Sequence, residues 1–196
     1  MNKIYFSTLL YSSLVLLMLS IINGFMFNID YYVHQFLNKY LPSGTVLQTL
    51  HFISNVFSPF NCLLLVLFLL AILFFKNKDQ FLLYGFWSFS VFLIGTIMKY
   101  TIGRPRPSIY FDGYSFPSMH VLSVSLLVTL LILITKNKWT KIVGTALIIT
   151  MMISRVYVNA HYFSDTIGSL IVLTIMLLSL RLAEEKESHY ETNEKR

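Results

Sequence analysis

Charged side chains are scarce in this 196-residue chain: Asp, Glu, Lys and Arg make up 12% of it, against 56% hydrophobic residues. A soluble domain carries about 25% charged residues, so this chain cannot clothe a water-facing surface, and a mean hydropathy of +0.67 agrees. Cysteine is nearly missing. The single Cys62 sits in a leucine-rich run, which excludes a disulfide framework and a thiolate metal site. Asp, Glu and His nowhere cluster at ligand spacing, so no metal and no other cofactor is expected. Internal repeats and interdomain linkers are also lacking. Acidic residues are outnumbered, nine against fifteen Lys and Arg. In a membrane chain such an excess marks cytoplasmic ends or an anionic ligand rather than nucleic acid.

What is present is apolar sequence in blocks. A spanning helix needs about 20 mostly apolar residues, and six segments supply it: 4–22, 59–75, 81–98, 118–135, 142–158 and 165–182. The fifth is interrupted by Ser154 and Arg155. The first run is longer than the roughly 7–15 residues of a signal-peptide core and no A-x-A-like site follows, so it reads as an uncleaved span. The fold class is therefore all-α, an integral membrane bundle of six transmembrane helices occupying 1–182. Within it, 23–58 forms an outer loop, where the alternation over 29–37 suggests one short amphipathic helix in the interface. The tail 183–196 mixes both charge signs and reads as a solvated, mobile cytoplasmic extension.

Lys and Arg in short loops set orientation. With the N-terminus inside, the cytoplasmic side collects Lys3, Lys76, Lys78, Lys136, Lys138, Lys141, Arg181 and the tail. The opposite side nevertheless holds Lys39, Lys99, Arg104, Arg106 and Arg155. Four of these cluster where the rule disfavours them, which implies a compensating anion.

Three polar groups fall at outer ends of spans. They are Lys99 to Pro107, then Pro117-Ser118-Met119-His120, then Ser154-Arg155 with His161 and Asp165. A phosphoryl group in transfer spreads negative charge over three oxygens, so its catalysis is mostly positioning and charge stabilisation. Arg grips two oxygens with its planar fork and Lys adds a point charge. Ser118 lies where the fourth span begins, and a helix N-terminus binds anions. Two histidines allow the roles to divide: one imidazole attacks phosphorus and the other protonates the departing alkoxide. His161 and Asp165 are spaced i,i+4 and share a face if helical. A carboxylate on Nδ1–H fixes the tautomer and frees Nε2, the logic of a hydrolase triad. This assigns His161 as nucleophile, Asp165 as its orienter and His120 as general acid.

These residues resemble the type 2 phosphatidic acid phosphatases, whose pattern is Lys, six residues, Arg-Pro; then Pro-Ser-Gly-His; then Ser-Arg, five residues, His, three residues, Asp. Lys99, Arg106 and Pro107 match the first part, Pro117, Ser118 and His120 the second, and Ser154, Arg155, His161 and Asp165 the third. The resemblance implies a six-helix bundle, metal-independent phosphatase activity and an extracytoplasmic active site. It also implies that Lys99, Arg106, Ser118 and Arg155 hold the phosphate. Met119 replaces the usual Gly, where a side chain could crowd the phosphate, and Asn159 and Phe163 replace a common Gly and Pro.

Taken singly, each group has a plainer reading. The Lys99–Arg106 cluster could contact lipid headgroups, His120 could be a hydrogen-bonded core histidine, and His161–Asp165 could close two helices. Their convergence favours a site, because ionisable groups in membranes are rare without function. His34 and His51 read as interfacial, Asp30 and Asp112 as loop or cap residues, and Cys62 as packing. The expected partner is a membrane lipid phosphate within the bilayer: phosphatidylglycerophosphate, phosphatidic acid or a polyprenyl pyrophosphate such as undecaprenyl pyrophosphate. A phosphotransferase passing the group to another lipid shares the first chemical step. A carrier of phosphorylated lipid is the non-enzymatic alternative.

Overall fold

The computed structural model describes the backbone of residues 3–41 and 44–194, and side chains over 5–41 and 44–185. Within these residues the chain forms eight α-helices and no strand: α1 (Lys3–Ile22), α2 (Phe27–Tyr40), α3 (Thr45–Val56), α4 (Pro59–Lys76), α5 (Lys78–Ile102), α6 (Met119–Thr135), α7 (Lys138–Tyr157) and α8 (Phe163–Glu194). Five of them, α1, α4, α5, α7 and α8, are long and apolar enough to cross a membrane, and α6 is a shorter apolar helix. The expected all-α membrane bundle is therefore present, with these six as its spans.

Local chemistry sets the helix ends. Ser58 accepts from the Asn61 N–H ahead of α4, with Pro59 at its first position, a start that satisfies an otherwise orphaned donor. Asn77 closes α4 and caps α5 through Gln80 N–H at 3.0 Å. Gly103 ends α5 with φ 60°, the left-handed turn that glycine adopts without strain. Asn137 accepts from Trp139 N–H at the head of α7. The tight α4–α5 and α6–α7 connections make each pair antiparallel neighbours.

The shortest spanning helix is the central one. α6 packs against α4, α5, α7 and α8 and buries Val121, Leu122, Val124, Leu126 and Leu130 completely. Apolar residues such as Leu16, Phe68, Phe75 and Phe86 are exposed instead on the perimeter, as suits a lipid solvent. Lipid is as apolar as leucine, so close fit rather than water exclusion holds spanning helices together. Gly144 of α7 provides such a fit, because a Cβ there would collide with Val128 of α6. Trp87 Nε1 donates to the Met176 carbonyl, linking α5 to α8.

Three expectations change. The segment 23–58 holds two helices rather than a loop with one. α3 follows Gly44 without a side-chain cap and is held by packing on α7, which a local pattern does not reveal. Ser154 and Arg155 do not interrupt the fifth span: α7 runs through them and both are buried. The tail is a continuation of α8 as far as Glu194, while residues 195–196 and the side chains from 186 onward lie outside the described residues.

Candidate active site

All three motifs meet at one end of the bundle. Lys99 stands on the last turn of α5, Arg104, Arg106 and Pro107 follow in the loop 103–118, Ser118 and His120 open α6, Arg155 closes α7, and His161 and Asp165 flank the start of α8.

His161 is almost fully buried and both ring nitrogens are engaged. Nδ1 lies 2.8 Å from the Ser115 carbonyl and Nε2 lies 3.2 Å from a guanidinium nitrogen of Arg106. A carbonyl only accepts and a guanidinium only donates. The ring is thus neutral, with its proton on Nδ1 and the Nε2 lone pair facing the cations. Asp165 comes second here: its Oδ2 is 3.6 Å from Nδ1, beyond hydrogen-bond reach, and accepts instead from Tyr162 N–H at 2.9 Å. Burial draws the His161 imidazole from 6.5 down to about 4, with Asp165 pulling upward and Arg106 and Arg155 adding to the fall.

The cations are braced by the protein. Lys99 Nζ donates to the Tyr114 carbonyl at 2.6 Å. Arg106 donates to the Ala160 carbonyl at 3.0 Å, and burial lowers its pKa against the opposing pull of Asp165 and Asp112. Arg155 donates to Ser54 Oγ of α3 at 2.7 Å. The Phe111 ring lies 5.9 Å from the Arg106 guanidinium and 5.6 Å from that of Arg155, a cation–π reach that keeps the two forks on one ring. His120 sits in the electrostatic field of His161, Arg106, Arg155 and Lys99.

The buried Nε of Arg106, Nε of Arg155 and Oγ of both Ser115 and Ser118 have no hydrogen-bond partner. A buried polar group left unpaired costs about 1–3 kcal/mol, and an anion accepts from such donors. The first hydrogen bond of α6 runs from Leu122 N–H to the Ser118 carbonyl, so the N–H groups of Met119, His120 and Val121 precede it and add the field of a helix N-terminus. The Met119 side chain leaves that place clear. Its sulfur would lie 3.3 Å from a Cβ on Gly95, so it is folded against α5, and a glycine there makes the room. No three of His, Cys, Asp and Glu gather as a metal site among the described residues.

The sequence profile of the PAP2 superfamily matches residues 80–187, more than half of the chain. The chain belongs to the PAP2 superfamily. Its fold matches the crystal structure of a transmembrane PAP2-type phosphatidylglycerolphosphate phosphatase from Bacillus subtilis, with a TM-score of 0.79 at 20% identity, covering 95% of this chain and 98% of that one. It also matches LpxE of Aquifex aeolicus, with a TM-score of 0.61 at 19% identity, covering 78% and 95%. No curated protein sequence matches. The PAP2 profile begins at residue 80 and so leaves out α2 and α3, which bring two further residues into contact with the candidate site.

Those two are Asp30 and Ser54. Asp30, read from the sequence as a loop or cap residue, is buried and takes the Arg104 guanidinium at 2.7 Å. Arg104 also pairs with Asp165 at 2.7 Å, so it is neutralised by the protein, unlike Arg106 and Arg155. The available signal was a lone carboxylate in an aromatic, interfacial run facing a surplus of cations. Ser54 carried no signal of its own.

Proposed function

We propose that this PAP2 protein is an integral membrane lipid phosphatase that hydrolyses a phosphate monoester or pyrophosphate of a membrane lipid through a phosphohistidine. The observation that carries the reading is the placement of His161, with Nδ1 2.8 Å from the Ser115 carbonyl and Nε2 3.2 Å from Arg106, which assigns the proton to Nδ1 and turns the Nε2 lone pair toward the cationic cup. Lys99, Arg106, Ser118 and Arg155 hold the phosphate, with Pro107 and Met119 flanking them.

The chemistry balances in two displacements. Nε2 of His161 attacks phosphorus, the bond to the leaving oxygen breaks (the lipid alkoxide of a monoester, the bridging oxygen of a pyrophosphate), and His120 gives that oxygen a proton. Water then attacks the phosphohistidine while His120 takes a proton back, the N–P bond breaks with its electron pair returning to Nε2, and inorganic phosphate leaves. A bound phosphate dianion beside His120 favours the protonated imidazole needed for the first step. Asp165 lies close enough to favour the charged ring as the N–P bond forms.

Sidedness follows from charge. Lys76, Lys78, Lys136, Lys138, Lys141 and Arg181 gather at the bundle end opposite the site, and the positive-inside rule puts that end in the cytoplasm. This supports cytoplasmic termini and an extracytoplasmic site that a lipid headgroup reaches from the bilayer.

Purified protein assayed for phosphate release across phosphatidylglycerophosphate, phosphatidic acid and undecaprenyl pyrophosphate tests the reading. Turnover of at least one, abolished in His161→Ala, is the expected result. Binding of these lipids without release would leave the carrier alternative standing instead.

A further inference from the structure

Asp30 belongs to none of the three motifs and precedes Ser164 by 134 positions. It is a carboxylate on a helix whose adjoining Ile29, Tyr31 and Tyr32 face outward, yet it is only 3% exposed. A buried carboxylate is costly unless paired and fully hydrogen-bonded, and this one is. Oδ1 accepts from Ser164 N–H at 2.8 Å, and Oδ2 accepts from Ser164 Oγ and from Arg104, both at 2.7 Å. The other terminal nitrogen of Arg104 donates to Ser164 Oγ and to Asp165 Oδ1, again at 2.7 Å. The guanidinium stacks 3.8 Å from the Tyr162 ring centre. One cation therefore sits between two carboxylates, and the second of these is the one beside His161.

We propose that Asp30 is a positioning residue of the phosphoryl-transfer site, sharing Arg104 so that the guanidinium does not cancel the negative field of Asp165 at His161. The inference rests on the reading of His161 as nucleophile. Arg104 paired with Asp165 alone makes a neutral couple, whose field at the imidazole largely cancels. Asp30 shares the guanidinium and leaves the trio with one net negative charge. The His161 ring gains positive character as Nε2 bonds to phosphorus, and a net negative neighbour near Nδ1 stabilises that state more than the ground state. The bonds to Ser164 also tie α2 to the first turn of α8. A purely mechanical tie is the competing account, and it makes no use of charge.

The two accounts separate in Asp30→Asn, which keeps an acceptor for Ser164 N–H and discards the charge, set beside Ser164→Ala, which discards contacts and keeps every charge. Both are compared with wild type and His161→Ala in lipid–detergent micelles, measuring kcat, KM, the pH profile and thermal unfolding. Asp30→Asn is expected to lower kcat at least tenfold with KM within twofold. It is also expected to move the acid limb of kcat/KM to lower pH, because an imidazole that loses a negative neighbour holds its proton less tightly. Ser164→Ala is expected to keep the acid limb in place. A near-wild-type kcat in Asp30→Asn, or a fall that tracks unfolding with an unmoved acid limb, overturns the inference. Should Asp30→Asn not fold, Arg104→Gln is compared with Asp30→Asn/Arg104→Gln, which leave two and one net negative charges beside His161. The acid limb of the pair is expected at lower pH than that of Arg104→Gln alone, and coincident limbs overturn the inference. A wild type that releases no phosphate, or a His161→Ala as active as wild type, sinks the phosphatase reading itself and the inference with it.

Discussion

His161 gives its Nδ1 proton to the backbone of Ser115 at 2.8 Å, while the Asp165 carboxylate waits 3.6 Å from the same nitrogen. A main-chain carbonyl cannot be mutated away or protonated at ordinary pH, so the tautomer has a holder independent of the acid. Loss of the acid in a serine-protease triad costs about 10⁴-fold because the wrong tautomer forms. Asp165→Asn here should cost less, on the order of 10–100-fold in kcat, while His161→Ala falls to background. Steady-state rates of the two variants decide it; equal losses would assign the tautomer to Asp165.

The pH behaviour of His161 has a definite sign. An imidazole in the unfolded chain titrates near 6.5, and the buried one near 4. As pH falls through that window the unfolded chain takes up a proton that the folded one refuses, so this group weakens folding between about 6.5 and 4. Above about 6.5 it contributes no pH dependence. In ¹⁵N-histidine NMR at pH 5.5, His161 should show the neutral Nδ1–H pattern. An imidazolium pattern at that pH would contradict the burial argument.

Ser54→Ala should loosen one arm of Arg155, whose bond to Ser54 Oγ spans 2.7 Å. A hydrogen bond to a charged group is worth about 1.5–3 kcal/mol, so vanadate, a mimic of the five-coordinate phosphorus, should bind roughly tenfold more weakly. Inhibition constants for the two proteins measure this, and equal constants would show that Arg155 needs no help from α3.

Phosphate release should persist in EDTA. On the proposed reading, Lys99, Arg106 and Arg155 bring three positive charges to the phosphate, the work a divalent ion does in other phosphoryl transfers. A strict Mg²⁺ requirement in the purified protein would refute this division of labour.

Much of this was legible in the sequence because it was local. The apolar blocks gave the spans, and the spacing of Lys99 to Pro107, Pro117 to His120 and Ser154 to Asp165 put the ionisable residues at one end before any packing was known. What could not be read is non-local. Asp30 finds Ser164 across 134 positions and Ser54 finds Arg155 across 101, and no periodicity records such partners. The resemblance singled out Arg106 and not Arg104, two positions before it, without a physical reason. The folded loop supplies one, turning Arg104 toward protein carboxylates and leaving Arg106 with an unpaired Nε. Met119 appeared to threaten the cup until Gly95 showed where its side chain goes. Gly95→Ala should therefore destabilise the bundle by about 1–3 kcal/mol through overpacking, read as a lower melting temperature in detergent.

α6 has 17 residues and α5 beside it has 25. At about 1.5 Å of rise per residue the first is roughly 25 Å long, short of the roughly 30 Å hydrocarbon layer. On the proposed reading, a middle post shorter than that layer lets a lipid phosphate meet the head of α6 while its acyl chains stay among their neighbours, whereas a small water-borne phosphate has nothing to anchor it there. Preference for long-chain over short-chain substrates would then come from the height of a single helix.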